Sequence, residues 1–417
     1  MLYLTILGGA FLAWLILAML FTPHIPYHVE SGIDVAGDHF IHVLESTTHT
    51  TLERGNRVEV LSNGDVFYPA MLEAIRCARE TIHMECYIFK RGAIGEAFIG
   101  ALESRARAGA RVTLVMDAIG SFGAFRASRR RLSAAGARVA AYQRPTWYGL
   151  GRLNNRTHRE LLVLDGRVAF VGGAGVADWW ASPYRGKPIW RDMMARIEGP
   201  IVADIQGVLA ENWLECCGEI LTTPRNYKPN RPAGKTSAFA IKSSPADRAT
   251  ASRALFQTLV ECAQQCVLVA TPYFLPDEAF REAIVRTAAR GVRVVVCVPG
   301  ARTDQRWVRL ASRRLYGDLL AAGVRIFEYG GGMTHVKMLA VDRLWAVIGT
   351  TNVDNRSFEH NDEVNVAIRD VDVTARLTRD FDADLAQSTE IFLDAWRRRP
   401  AWEKLVGTVA WILERQQ

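Results

Sequence analysis

The sequence predicts an α/β fold in which two homologous α/β units pack together, with a membrane helix at the N-terminus. Three observations lead to this prediction. Segments of the first half recur in the second half in the same order, which indicates a duplication. Within each half, Ala-rich helical patterns alternate with short apolar runs typical of strands. Finally, residues 2–21 contain no charged side chain.

Length and composition set the first limits. A chain of 417 residues is too long for one ordinary hydrophobic core, so two domains are expected. With 49% hydrophobic and 23% charged residues, the composition is that of a folded protein rather than a disordered one. The net charge of +7 favours a partner that carries phosphate, although a basic protein without such a partner is also compatible with it.

The apolar N-terminus predicts a single membrane anchor in residues 1–23. About 20 apolar residues are needed to cross a bilayer as a helix. A secretory signal peptide is the alternative, but no Lys or Arg precedes the segment and no small-x-small cleavage pattern follows it. We expect the protein in the cell inner (cytoplasmic) membrane. Seven cysteines without zinc-site spacing are read as reduced thiols, which favours a body on the cytoplasmic side.

The internal repeat defines the two units. Residues 108–112 recur as 290–294, and each segment enters an apolar run of strand type. Residues 134–139 recur as 321–326, again before a strand-like run. Upstream, matching strand-like runs each contain one tyrosine. These two tyrosines are Tyr87 and Tyr273. Each half therefore predicts helices alternating with strands, the arrangement of a sheet covered by helices.

The predicted organisation follows from the repeat and from the proline-rich stretch between its copies. The expected segments are 1–23 (transmembrane anchor), 24–55 (tether), 56–222 (first domain), 223–246 (linker), 247–395 (second domain) and 396–417 (basic amphipathic C-terminal helix). In the last segment, three arginines precede apolar residues at helical spacing. Such a helix either lies on anionic lipid or packs against its own domain, and the pattern fits both.

The second half carries the stronger chemical motif. His335, Lys337 and Asp342 form His-x-Lys-x-x-x-x-Asp, and a Gly-Thr-x-Asn segment ends at Asn352. One copy alone is a weak signal, but a second histidine at the corresponding place of the first half makes the pattern specific. The duplicated motif resembles that of the phospholipase D superfamily, and in particular that of bacterial cardiolipin synthases. The resemblance covers residues 57–395.

The first copy of the motif departs from this pattern. His158 and Asp165 keep the spacing, but Glu160 stands in the place of the lysine and Gly175 in the place of the asparagine. Half of the usual set of phosphate-binding groups is therefore missing. The motif aspartates Asp165 and Asp342 complete the candidate catalytic set, in which we expect them to stabilise the strand ends around each site.

Glu160 needs an explanation, because a carboxylate beside a phosphate is repelled. It must pair with a cation such as Arg156 or Arg159, point away, or bind a group other than phosphate. Two hypotheses stay open from the sequence. Glu160 contacts a hydroxyl of the acceptor alcohol, for example glycerol, or it closes a structural ion pair.

The resemblance implies a mechanism with two facing histidines, His158 and His335, at the interface of two phospholipase D-like domains. One histidine attacks phosphorus to form a phosphohistidine, and the other protonates the departing alcohol. Neither a metal nor another cofactor is expected. Lys337 and Asn352 would hold the phosphoryl oxygens, where negative charge accumulates.

The resemblance also suggests which carboxylate fixes the tautomer of each histidine. It assigns Glu363 to His335, and it assigns Asp192 to His158. Both assignments keep the carboxylate and the histidine within one half of the chain.

The implied function is that of a phosphatidyltransferase that makes cardiolipin from two phosphatidylglycerols and releases glycerol. The expected partners are this anionic phospholipid and the bilayer, and no nucleic acid is expected. Two alternatives stay open: a phosphodiester hydrolase of the phospholipase D type, either lipase or nuclease, and a non-catalytic lipid-binding scaffold. The sequence leaves the oligomeric state undetermined.

Aromatic residues are concentrated around the first motif. They are Trp147, Tyr148, Trp179, Trp180, Tyr184 and Trp190. Amphipathic rings suit a lipid–water boundary. They are therefore expected to border an entrance for acyl chains or to contribute to the core.

Overall fold

The computed structural model describes residues 3, 6–11, 14, 26–30, 32–144, 155–228, 231–245 and 250–414. Most of the predicted anchor, 1–23, lies outside these residues, as do Trp147 and Tyr148 of the aromatic group. Within the described ranges, no helix has both the length and the apolar composition needed to cross a membrane.

The described part of the chain contains eighteen strands. The first nine are β1 (Glu53–Ser62), β2 (Thr81–Cys86), β3 (Arg111–Asp117), β4 (Arg138–Tyr142), β5 (Arg156–Thr157), β6 (Leu161–Leu164), β7 (Val168–Gly172), β8 (Met193–Glu198) and β9 (Thr236–Ser243). The others are β10 (Cys266–Ala270), β11 (Phe274–Leu275), β12 (Arg293–Pro299), β13 (Arg325–Tyr329), β14 (Met338–Val341), β15 (Trp345–Gly349), β16 (Val353–Asp354), β17 (Asn361–Arg369) and β18 (Ser388–Ile391).

Helices cover the sheet. In the first half they are α1 (Asp38–Thr48), α2 (Gly64–Cys77), α3 (Ala93–Arg107), α4 (Phe125–Ala134) and α5 (Val202–Cys217). In the second half they are α6 (Ala251–Cys262), α7 (Glu278–Ala289), α8 (Arg306–Arg314), α9 (Tyr316–Ala321), α10 (Asn355–Glu359), α11 (Val371–Leu385), α12 (Leu393–Arg397) and α13 (Ala401–Glu414). The mixed α/β class predicted from the sequence is confirmed.

Sixteen of these strands form one sheet with a repeated strand order. Along the sheet the order is β18-β13-β12-β10-β14-β15-β17-β9-β1-β8-β7-β6-β2-β3-β4, and β5 pairs with β17. From the middle outward, β9-β17-β15-β14-β10-β12-β13 matches β1-β8-β7-β6-β2-β3-β4. In both series the last three strands are parallel and the inner ones antiparallel. The duplication seen in the sequence thus recurs in the topology.

The motif strands lie in the interior of this sheet. All four residues of β6 and all four of β14 are buried, and both strands are continuous apolar runs, as expected for strands covered on both faces. Each motif histidine precedes its strand, and each motif aspartate follows it. The histidines and the aspartates of one motif therefore lie at opposite ends of a strand.

The motif aspartates stabilise strand ends, as expected. Asp165 accepts hydrogen bonds from the backbone N–H groups of residues 79, 80 and 81 at 2.9, 2.7 and 2.8 Å. Asp342 accepts the equivalent bonds from residues 264, 265 and 266 at 2.7, 2.7 and 2.9 Å. These donors lower the pKa of Asp165, although burial opposes them. Each aspartate thus fixes the start of the strand beside its motif, far from the histidines.

Two segments predicted as connections contribute to the core. The proposed tether 24–55 contains α1, whose Phe40 and Leu44 are fully buried, and Phe40 packs 5.5 Å from the Trp345 ring. The proposed linker 223–246 contains β9, which pairs with β17 and with β1 in the middle of the sheet. Burial of their apolar residues against the sheet outweighs the His-, Thr- and Pro-rich composition around them.

Candidate active site

The two motif histidines open into one cavity of about 1500 Å³, which Asn352 also lines. Short contacts between the halves bring them together. Strand β5 pairs in parallel with β17, and the backbone N–H of His158 donates to the carbonyl of Asp362 at 2.9 Å. On the other side, the N–H of His335 donates to the carbonyl of Arg191 at 2.7 Å. Each histidine is therefore held by backbone from the opposite half.

His158 pairs with Glu363 of the second half. Its Nδ1 lies 3.1 Å from both carboxylate oxygens of Glu363. The carboxylate is fully buried, whereas 12% of the His158 side chain is exposed. Thr350 donates its hydroxyl to Oε2 of Glu363 at 2.5 Å. A carboxylate on Nδ1 places the proton there and leaves Nε2 available for chemistry.

His335 pairs with Asp192 of the first half. The distance from Nδ1 to Oδ2 is 2.8 Å, and the Trp180 indole N–H donates to the same oxygen at 3.1 Å. Close approach requires glycine at position 173, because a Cβ there would lie 2.5 Å from Oδ1 of Asp192 and 3.0 Å from the carbonyl oxygen of His335.

The assignment of carboxylates within one half is therefore wrong: the pairs cross. Asp192 and Glu363 occupy equivalent places in their halves. Asp192 lies two residues before Met194, the pairing partner of Gly172. Glu363 lies inside β17, two residues before Asn365, the pairing partner of Gly349. Because the two halves face each other, each carboxylate points at the histidine of the other half. The spacing of these residues in the sequence is the same whether each carboxylate pairs with the histidine of its own half or with that of the other half. Only the packing of the two halves decides between the two pairings.

Lys337 lies directly beneath His335. Its Nζ donates to the carbonyl of His335 at 2.7 Å and lies 2.8 and 3.1 Å from the two ring nitrogens. Burial lowers the pKa of Lys337 to about 8, against the opposing charges of Asp192, Glu363 and Glu160. Burial and the Lys337 charge lower the pKa of His335, which Asp192 partly opposes. The lowered pKa of His335 favours its neutral imidazole, the form that a nucleophile or base requires.

Asn352 presents an unused polar group to the cavity. The residue is 4% exposed, and in the described part of the protein its side-chain Oδ1 has no hydrogen-bond partner. Buried polar atoms are nearly always paired. The unpaired Oδ1 is an acceptor and suits an O–H group of a ligand, whereas the Nδ2 donor of the same amide is the group that suits a phosphoryl oxygen beside Lys337.

In the described part of the chain, the first alternative for Glu160, a structural ion pair, is not found. Its Oε1 accepts hydrogen bonds from the backbone N–H groups of Tyr87 and Ile88 at 3.1 and 3.0 Å. Arg159 instead pairs with Glu211 at 2.8 Å. Burial raises the pKa of Glu160 well above its ordinary value, although the two backbone donors and Lys337 oppose the shift.

The second alternative for Glu160, contact with an alcohol, depends on where its side chain lies. Tyr87 and Ile88 line the cavity, so Glu160 lies behind the wall that they form. Gly175 belongs to the same arrangement, because a Cβ there would lie 2.8 Å from Oε1 of Glu160 and 2.5 Å from the Ile88 carbonyl oxygen. The two departures of the first motif therefore occur together: Glu160 supports a close backbone approach that only glycine permits.

The structure also adds residues that the motifs did not identify. Tyr87 stacks edge-on to His158 with ring centroids 5.4 Å apart. Tyr273 donates its hydroxyl to Asp304 at 2.7 Å, and Asp354 lies at the cavity wall with its pKa raised to about 6 by burial. The repeated tyrosine at the end of each upstream strand was the available signal for Tyr87 and Tyr273.

Two members of the aromatic group pack against His335, and one of them, Trp190, also lines the cavity. Trp180 is fully buried, and its ring lies 5.5 Å from that of His335. Trp190 lies 5.4 Å from the same ring, and Trp179 contacts both tryptophans and Tyr184. These rings exclude water around the His335–Asp192 pair.

Comparisons with known proteins show which proteins this chain resembles. Residues 256–385 match a family model described as cardiolipin synthase, PLD-like domain. A probable cardiolipin synthase of Bacillus subtilis is 32% identical over 347 residues, which are 82% of this chain and 69% of that protein. A cardiolipin synthase of Geobacillus kaustophilus is 32% identical over 361 residues, 86% of this chain and 72% of that protein.

Solved structures show the same fold at low sequence identity. A phosphatidylserine synthase from Haemophilus influenzae superposes with a TM-score of 0.66 at 15% identity, covering 90% of this chain and 98% of that one. A polyphosphate kinase from Porphyromonas gingivalis superposes with a TM-score of 0.56 at 12% identity, covering 90% of this chain and 52% of that one.

The crossed pairing predicts which histidine responds, in its NMR resonances, to the substitution of each carboxylate. In Glu363→Gln, the imidazole NMR resonances of His158 should change and those of His335 should stay near their parent positions. In Asp192→Asn the pattern should be reversed, because each substitution removes the charge beside one ring only. Resonances assigned through His158→Gln and His335→Gln make the comparison direct. The opposite pattern would restore the pairing within each half.

Proposed function

Because the chain belongs to the cardiolipin synthase family of the phospholipase D superfamily, we propose that it is a phosphatidyltransferase that makes cardiolipin. Its substrates are two phosphatidylglycerols, and glycerol is the second product. The observation that supports this proposal most directly is the pair of crossed histidine–carboxylate contacts in one cavity, with Lys337 and Asn352 beside them.

The reaction proceeds in two displacements. One histidine attacks phosphorus through Nε2, and the bond from phosphorus to the glycerol oxygen breaks. The other histidine gives its proton to that oxygen, so glycerol leaves neutral and a phosphohistidine remains. In the second step, the histidine that gave its proton to glycerol takes a proton from a hydroxyl of the second phosphatidylglycerol. The oxygen of that hydroxyl attacks phosphorus and displaces the other histidine. Lys337 and Asn352 stabilise the charge on the phosphoryl oxygens.

The proposal includes the placement of the protein. Residues 56–222 and 247–395 act as two phospholipase D-like domains with the catalytic centre between them. Residues 1–23 form a single anchor in the cytoplasmic membrane, with the body on the cytoplasmic side. The uncharged stretch 2–21 supports this placement.

The decisive assay is incubation of the purified chain with phosphatidylglycerol in detergent micelles, without added metal. Equal amounts of cardiolipin and glycerol are expected. His335→Ala and His158→Ala should each fall below about 1% of the parent rate, because either loss interrupts the double displacement. His42→Ala, whose side chain is 73% exposed on α1, is the matched control.

Other products would contradict the proposal. Phosphatidic acid as the main product indicates a hydrolase that transfers to water. Cleavage of oligonucleotides alone indicates a nuclease, and no turnover of any phosphodiester by a folded chain indicates a lipid-binding scaffold.

Activity should depend on pH in a way set by Lys337 and His335. The lysine loses its charge as pH rises through its pKa of about 8, so the rate should fall on the alkaline side. On the acid side, His335 stays neutral to below its ordinary pKa of 6.5, so that limb should lie below pH 6.5. In Lys337→Arg the alkaline limb should move up, because a guanidinium stays charged. An unchanged limb in this variant, measured as kcat/KM against pH, would exclude Lys337 as its origin.

We further propose that Glu160 contributes to the choice of acceptor, through the Tyr87–Ile88 wall that it holds beside His158. Glu160→Ala leaves two partly buried N–H groups without their acceptor, at a cost of up to about 1–3 kcal/mol each. This variant should change the ratio of cardiolipin to phosphatidic acid. Glu160→Gln keeps an oxygen acceptor and should stay closer to the parent. Equal product ratios for the alanine variant and the parent would contradict a role in acceptor choice.

A further inference from the structure

The C-terminal helix α13 is fixed to the protein along one side. Ala410 is 1% exposed, and Gly407 lies so near α8 that a Cβ would be 2.9 Å from the carbonyl oxygen of Leu310. Glu403 accepts a hydrogen bond from Arg313 of α8 at 2.8 Å. The helix therefore packs against its own domain. This contact with α8 also determines which face of α13 points away from the protein.

The opposite side of α13 is apolar and exposed. Trp402, Leu405 and Val409 are 61%, 68% and 48% exposed, and their spacing of three and four residues places them in one stripe. Trp307 of α8, also 61% exposed, adds a second indole nearby on the packed helix pair. Exposing a row of large apolar side chains to water costs free energy, and such surfaces usually bind a protein, a membrane or a ligand.

This stripe continues into the catalytic cavity. Trp307, Val409 and Trp411 line the cavity, and so do His158 and His335 at its floor. The exposed apolar surface therefore borders the opening through which a ligand reaches the histidines. A surface that binds the stripe therefore also lies at the opening of the cavity.

Basic residues accompany the stripe. Arg397 and Arg398 at the end of α12, Lys404 on α13 and Arg306 at the start of α8 are all exposed. Near an anionic bilayer each basic residue contributes about 1 kcal/mol of attraction. Tryptophans prefer the interface between lipid and water. The exposed basic residues and tryptophans together favour binding to an anionic bilayer over binding to an uncharged, apolar protein surface.

We propose that the stripe formed by Trp402, Leu405 and Val409, together with Trp307, docks on the anionic bilayer and aligns the cavity mouth with it. A lipid headgroup then enters the cavity while its acyl chains stay beside apolar side chains. This inference rests on the proposed function for the identity of the substrate, since only a lipid benefits from such an entrance. It assigns to α13 both alternatives that the sequence left open, packing on one side and lipid on the other.

The test compares two presentations of one substrate with the full chain. Trp402→Ser/Leu405→Ser alters two residues that do not line the cavity. On vesicles of phosphatidylglycerol and phosphatidylcholine its rate should fall about tenfold or more, because docking is lost. In detergent micelles, where no bilayer has to be approached, its rate should stay within about twofold of the parent. Val371→Ser, at a residue that is 59% exposed away from the cavity lining, is the matched control and should leave both rates unchanged.

A second variant examines the charge. Relative to the parent, Arg397→Gln/Arg398→Gln should lose rate on vesicles most strongly at high phosphatidylglycerol content and in low salt, because the attraction of the two arginines to the bilayer is electrostatic. Equal vesicle rates for the parent and the apolar double variant would overturn the proposal. A parallel loss in micelles would overturn it as well, since α13 would then support the cavity only. A change from dimer to monomer with full vesicle activity would assign the stripe to a second copy. A parent inactive in both presentations would contradict the proposed function instead.

Discussion

The two crossed contacts between histidine and carboxylate are the constraint on which the rest of the structure depends. Asp192 and Glu363 are fully buried, and burying a carboxylate is costly unless hydrogen bonds compensate for the lost water. Trp180 and Thr350 supply such bonds from the same half as each carboxylate, while the histidine comes from the other half. Neither half can satisfy its own catalytic groups alone, so the duplicated units have to remain packed together.

Backbone geometry serves this constraint at several points. The parallel pairing of β5 with β17 places His158, and the bridge between Arg191 and Thr334 places His335. The motif aspartates hold the far ends of the same sheet regions through three backbone N–H groups each. Positioning is thus distributed over both ends of the motif strands, and the two histidines lie at one of these ends.

The two halves resemble each other in topology and differ in chemistry. The second motif carries the buried cation Lys337 and the amide of Asn352, whose Oδ1 has no hydrogen-bond partner in the described part of the chain. In the first motif, Glu160 is occupied by the backbone of Tyr87 and Ile88, and Gly175 makes room for that contact. The duplicated fold therefore carries a lysine and an asparagine in one motif, and in the other a carboxylate that is held by backbone N–H groups.

Local pattern determined the α/β class, the repeat and the two histidines, because spacing and periodicity are properties of neighbouring residues. The strand-end role of Asp165 and Asp342 was an expectation that accompanied the family resemblance. Tertiary structure alone decided the rest. Whether Asp192 pairs with His158 or with His335 depends on how the two halves face each other. The spacing of residues in the sequence is the same in both cases and does not distinguish them. Likewise α1 and β9 became core because their apolar residues met the sheet, and α13 acquired one packed and one exposed side because α8 covers only one of its faces.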